Sequence, residues 1–132
     1  MKALIAIAWL LTLLGGCSKS VTITSITYSG NFNLTSPIDI PLNSQLRLTF
    51  TGVNFSGSGD SSVLPYIGGG VFKLKGDSIY FTQTGAVPDF FERGSILEGS
   101  FLLEQNADSL VFSRRDAAGT VGQEVIYRLR RE

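Results

Sequence analysis

Gly99-Ser100-Phe101-Leu102-Leu103-Glu104-Gln105-Asn106-Ala107-Asp108-Ser109-Leu110-Val111-Phe112-Ser113-Arg114-Arg115, followed after a short loop by Gln123-Glu124-Val125-Ile126-Tyr127-Arg128-Leu129-Arg130, decides the fold class of this chain. Large apolar residues recur at every second position, the period of a half-buried strand. A turn over Gln105-Asn106-Ala107-Asp108 sets Phe101 against Phe112 and Leu103 against Leu110. A loop around Gly119 then sets Phe112 against Tyr127 and Leu110 against Leu129. Two rows result, Phe101–Phe112–Tyr127 and Leu103–Leu110–Leu129, crossing three antiparallel strands on one face. The other face carries Val111, Ser113, Arg128 and Arg130. A slip of one residue would turn both rows towards water, so hydrophobic burial holds this meander to one face assignment.

The preceding third repeats the pattern. Gly70-Val71-Phe72-Lys73-Leu74-Lys75-Gly76-Asp77-Ser78-Ile79-Tyr80-Phe81-Thr82 matches Gly99 to Ser113, with two fewer residues at the turn. Gly76-Asp77 fits a two-residue type II′ hairpin, which pairs Leu74 with Ile79 and Phe72 with Phe81. Further strands are expected over 20–28, 45–51 and 62–67, beside 70–75, 78–84, 96–104, 109–115 and 123–130. A short edge strand is expected near 37–42, where Pro37 and Pro41 would bar a central position. The alternation slips between Val21/Ile23 and Ile26/Tyr28, which suggests a bulge. The Gly-rich stretch from Gly52 to Gly70 reads as loops and bends apart from 62–67. No window of about eleven residues carries helical apolar spacing; only 88–93, closed by Gly94, suits a helical turn. The expectation is an all-β antiparallel meander, closed into a small barrel of about eight strands.

The chain has 132 residues, 11 basic and 11 acidic side chains, 15 Gly, one Cys and no His. The length fits one domain. A balanced charge gives no reason to expect nucleic acid, whose phosphates demand a basic excess. Without His, the commonest general base and transition-metal ligand is missing, and with a lone Cys a zinc, haem or iron–sulfur site has almost nothing to hold it. No cofactor and no metal are expected.

The N-terminus begins Met1-Lys2, continues as a twelve-residue apolar run over 3–14 whose one polar member is Thr12, and ends in Gly15-Gly16-Cys17. The run is shorter than the roughly 20 residues of a membrane-spanning helix and fits the apolar region of a secretory signal peptide. Leu14-Gly15-Gly16-Cys17 resembles the bacterial lipobox. That resemblance implies cleavage between Gly16 and Cys17, diacylglycerol on the Cys17 thiol and a further acyl chain on the new amine. Ser18, in place of the Asp that favours inner-membrane retention in that family, implies the outer membrane. The organisation is therefore a signal peptide over 1–16, lipid attachment and linker over 17–19, and one all-β domain over 20–132. Cleavage leaves 116 residues with no Trp and 10 basic against 11 acidic groups. Two or three acyl chains anchor firmly where one binds only marginally.

Over about residues 46–130 the domain resembles small bacterial lipocalin-like (calycin) lipoproteins and META domains of envelope proteins. The resemblance is carried by the two Gly-x-Phe-x-Leu…Asp-Ser-aliphatic-x-Phe units and the closing Tyr127-Arg128-Leu129-Arg130. It implies a barrel that is either filled by its own side chains or holds one small apolar ligand. The inward aromatics Phe72, Phe81, Phe101, Phe112 and Tyr127 are the candidate ligand-binding residues.

Catalysis has weaker material. Lys73 and Lys75 read as solvated strand residues rather than as half of a Ser–Lys dyad. Asp89, Glu92 and Glu98 supply carboxylates for glycoside cleavage, although acids near a loop are ordinary. Asp77-Ser78-Ile79 and Asp108-Ser109-Leu110 resemble an envelope O-glycosylation sequon, and hairpin turns account for both. The sequence reading is thus a non-enzymatic, lipid-anchored envelope protein that binds a small apolar ligand or an envelope partner. The alternative is a structural or assembly lipoprotein with a filled core.

Overall fold

The computed structural model describes residues 25–37, 40–59, 65–87, 96–115 and 121–132. They form eight strands: β1 Ser25–Thr35, β2 Leu42–Thr51, β3 Asn54–Gly59, β4 Gly70–Lys75, β5 Ser78–Gln83, β6 Gly99–Gln105, β7 Ser109–Arg115 and β8 Glu124–Arg131. Each pairs antiparallel with the next, and β8 returns to β1, so the sheet is a closed up-and-down barrel. The seam between β3 and β4 is the shortest, with only Asn54–Val71 and Phe55–Gly70 paired.

Period-two alternation divides the strands between a dry interior and a wet exterior. On β8, Val125, Tyr127 and Leu129 are buried, while Arg128 and Arg130 are exposed. On β1, Tyr28, Phe32 and Leu34 point inward, with Gly30 at the inward position between Tyr28 and Phe32. A Cβ on Gly30 would lie 1.9 Å from the Arg128 carbonyl oxygen. Glycine at this point lets β1 and β8 approach closely enough to complete the barrel.

The β4–β5 and β7–β8 registers are the expected ones: Phe72 opposite Phe81, Leu74 opposite Ile79, Phe112 opposite Tyr127 and Leu110 opposite Leu129. Gly76 leads its turn at φ 61°, the left-handed backbone a primed hairpin needs. The β6–β7 hairpin differs by two residues, with Leu103 opposite Phe112 rather than Leu110. Asn106 is the cause. Its Oδ1 accepts hydrogen bonds from the amides of Asp108 and Ser109, at 3.1 and 3.0 Å, and its own amide donates to the Ser109 carbonyl. The turn therefore runs over 106–109, one residue later than expected, capped by an Asn side chain. An even shift leaves every side chain on its expected face, so the Phe101–Phe112–Tyr127 cluster survives with a different diagonal.

Four local expectations are corrected. The first strand covers Ser25–Thr35, running seven residues past its expected end; residues 20–24, and with them the bulge expected between Val21/Ile23 and Ile26/Tyr28, lie outside the described residues. The 37–42 edge strand does not form among its described residues, where Leu42 instead opens β2. The described part of 62–67 contributes only a parallel bridge between Tyr66 and Ile96. In its place β3 arises from Asn54-Phe55-Ser56-Gly57-Ser58-Gly59, read from sequence as loop. This stretch has one large apolar residue, Phe55, but a turn led by Gly52 at φ 60° folds it back along β2. Gly57 leaves room for Leu48 and Ile67 to fill the interior. The helical turn at 88–93 lies outside the described residues.

Candidate functional site: the apolar mouth of the barrel

The barrel interior is layered along its axis. In the middle, Phe81 packs against Phe55, Phe101 and Phe112 at ring-centroid distances of 5.0, 5.8 and 5.4 Å, and Phe112 stacks on Tyr127 at 4.6 Å. Phe32 adds a ring 5.0 Å from Tyr127. These residues are fully or almost fully buried, and they divide the barrel into two ends.

One end is polar. Arg114 lies over the Phe101 ring, 4.5 Å from its centroid, and donates through a terminal guanidinium nitrogen to the Glu98 carbonyl oxygen at 2.7 Å. The shifted β6–β7 register brings Arg114 across from Phe101. Burial pulls the guanidinium below its ordinary pKa, opposed by the Tyr127 phenol and the Glu98 carboxylate. Burial likewise pushes the Tyr127 phenol well above its ordinary value. Tyr127 Oη, Arg114 Nε, Gln83 Oε1 and Gln123 Oε1 are buried without hydrogen-bond partners. Gln83 is tied to the wall by its amide nitrogen, which donates to the Leu97 carbonyl at 2.8 Å.

The other end is an open apolar mouth. A cleft of about 180 Å³ lies between Ile26 and Tyr28 of β1, Phe50 of β2, Phe72 of β4, and Leu103 and Leu110 of β6 and β7. Phe50 packs edge-on against Phe72 at 4.9 Å and against Tyr28 at 6.0 Å, so the walls are aromatic and mutually braced. Leu74 at the rim is 55% exposed. The volume lies below the ~300–1,000 Å³ of drug-sized ligand pockets. The cleft therefore takes part of an apolar molecule, such as a chain end or a single ring.

Of the five aromatics nominated from sequence, Phe72 lines this cleft. Phe81, Phe101, Phe112 and Tyr127 pack on one another in the core. The lining residues that sequence reasoning did not nominate include Ile26, Tyr28 and Phe50. The signal for them was their inward parity on β1 and β2, usable only once β1 is joined to both β2 and β8. Gly16, Cys17, Asp89 and Glu92 lie outside the described residues, while Glu98, Lys73 and Lys75 are exposed. Two further grooves are wet. One of about 310 Å³ runs past Gln45, Ser58 and the exposed Arg47–Glu132 ion pair, whose nearest atoms are 2.7 Å apart. The other, of about 270 Å³, lies by Arg115, Gln123 and Glu124.

Among the described residues, no three His, Cys, Asp or Glu side chains come together in a way that would hold a metal ion. No family model, curated protein or solved structure matches this chain.

Proposed function

We propose that this chain is a lipid-anchored bacterial envelope protein, attached through Cys17, whose barrel is a non-enzymatic module that binds an apolar group. The lipobox-like Leu14-Gly15-Gly16-Cys17 behind a short apolar run supports the anchor. The observation that carries the binding role is the braced, mainly apolar cleft at the mouth, where hydrocarbon can leave water. The residue types present favour binding over catalysis, since there is no His and Lys73, Lys75 and Glu98 stand exposed on the exterior. The resemblance to lipocalin-like lipoproteins points the same way.

The second reading, a structural lipoprotein with a filled core, is favoured by the aromatic layer itself: Phe81, Phe101, Phe112 and Tyr127 occupy the space a deep ligand would need. Titration with N-phenyl-1-naphthylamine separates the two. The binding reading expects saturable fluorescence enhancement that Leu103→Asp abolishes while the circular dichroism of the barrel is retained. No enhancement in the unaltered chain supports the filled-core reading instead.

A further inference from the structure

The mouth of the barrel is also the end at which the chain enters it. Ser25 opens β1 there, and Ile26, the next residue, is part of the cleft wall. Residues 18–24 separate Ser25 from Cys17, so eight steps at no more than ~3.6 Å per residue hold the mouth within roughly 29 Å of the attachment point. The polar end lies at the opposite end of the barrel from Ser25.

Charge is distributed in the same sense. Once the mutually paired Arg47 and Glu132 are set aside, along with Arg128, whose guanidinium reaches back to Asn33, the strands and turns at the mouth end carry Lys73, Lys75, Arg130 and Arg131 against Asp77, Glu104 and Asp108. At the polar end, Glu98 and Glu124 stand beside Arg114 and Arg115. Among the described residues, cations thus outnumber acids towards the apolar opening, while the two signs balance at the other end. Exposed apolar side chains mark the opening too, with Val53 at the tip of the β2–β3 turn 65% exposed and Leu74 at the cleft rim 55% exposed.

We infer that the barrel stands mouth-down on the anionic lipid surface carrying its own anchor, with the cleft taking the end of a phospholipid acyl chain from that leaflet. This rests on the Cys17 anchor proposed above. An apolar opening ringed by Lys and Arg is the arrangement that lets hydrocarbon leave water while cations meet phosphate headgroups. The cleft is too small for a whole lipid and suits a chain end still held in its bilayer.

The test uses the full chain, produced in a lipidating host and incorporated into vesicles of phosphatidylethanolamine and phosphatidylglycerol containing acyl-brominated lipid. In a Trp9→Phe background, Leu74→Trp places a reporter at the mouth and Val121→Trp places one at the far end, where residue 121 is 83% exposed. Seating of the rim about 5–10 Å into the headgroup–acyl boundary predicts about twofold or greater quenching of the Leu74→Trp reporter and none of the Val121→Trp reporter. Lys75→Glu with Arg131→Glu should reduce that quenching at least to the level seen when phosphatidylcholine replaces phosphatidylglycerol. If the protein floats with the vesicles but both reporters remain unquenched, the mouth-down inference is overturned and the anchor stands. A protein that fails to float, with a maleimide-reactive Cys17 and an unquenched mouth, overturns both. Quenching at the mouth with a reactive Cys17 overturns the anchor alone. Quenching indifferent to charge reversal removes the anionic surface from the proposal.

Discussion

Truncating Phe112 should cost more stability than any neighbouring substitution on its strand. The ring is fully buried, stacked on Tyr127 at 4.6 Å and flanked by Phe81 at 5.4 Å and Phe101 at 5.6 Å. Phe→Ala in a core costs about 3–5 kcal/mol, depending on how far the site can collapse. Here β7 is hydrogen-bonded on both sides, to β6 and β8, so the walls cannot close in, and the cost belongs in the upper part of that range, about 4–5 kcal/mol. That is a large share of the ~5–15 kcal/mol stabilising a typical domain. Ser113 is the matched control: one step along β7, it points to the exterior and should accept Ala within about 0.5 kcal/mol. With a urea dependence of about 2 kcal/mol per molar, Phe112→Ala should lower the unfolding midpoint by about 2 M and Ser113→Ala by less than ~0.3 M. Equal shifts, or a larger one for Ser113→Ala, would refute the face assignment of β7 and the layered interior with it.

The other expectations come from backbone contacts and buried polar groups. Gly30→Ala, whose Cβ would lie 1.9 Å from a backbone oxygen, should destabilise by about 4 kcal/mol or more. Gly76→Ala, with open space but φ 61°, should cost only about 1–2 kcal/mol; similar midpoints for the two would contradict the close β1–β8 approach. Tyr127→Phe removes a buried hydroxyl without a partner and should be neutral or stabilising by up to about 1 kcal/mol, so a clear loss in denaturant would mean the hydroxyl is satisfied after all. Because burial raises the Tyr127 pKa above its ordinary 10.0, the unfolded chain releases that proton at lower pH than the folded one. The Tyr127 contribution is thus complete below pH 10 and declines as pH rises above it. Alkaline unfolding midpoints should therefore fall less steeply in Tyr127→Phe, and parallel pH profiles would count against the burial.

Where side-chain alternation and turn chemistry agreed, the sequence was legible to the residue. Gly76-Asp77 and the Phe72/Leu74 and Ile79/Phe81 pairs set the β4–β5 register, and Phe112/Tyr127 with Leu110/Leu129 set β7–β8. The β6–β7 register was missed because face parity cannot separate shifts of two. That choice belonged to the Asn106 side chain, whose capping of the 106–109 turn wins over the equally long turn at 105–108. β3 escaped because Asn54-Phe55-Ser56-Gly57-Ser58-Gly59 has little alternation of its own; its strand state comes from pairing with β2 and from the space Gly57 leaves for Leu48 and Ile67. The aromatic core residues were identified correctly as inward-facing. Which of them line a cleft depends on barrel closure, a long-range property that no single hairpin encodes.

Intact-mass measurement of the protein extracted from membranes tests the central proposal, a barrel tethered through Cys17, most directly. The account predicts a chain beginning at Cys17, heavier than its 116 residues by a diacylglyceryl group and, with full processing, one further acyl chain, and lacking tryptophan fluorescence because Trp9 has left with the leader. A chain with an unmodified Cys17 thiol, whether or not residues 1–16 have been removed, would contradict it.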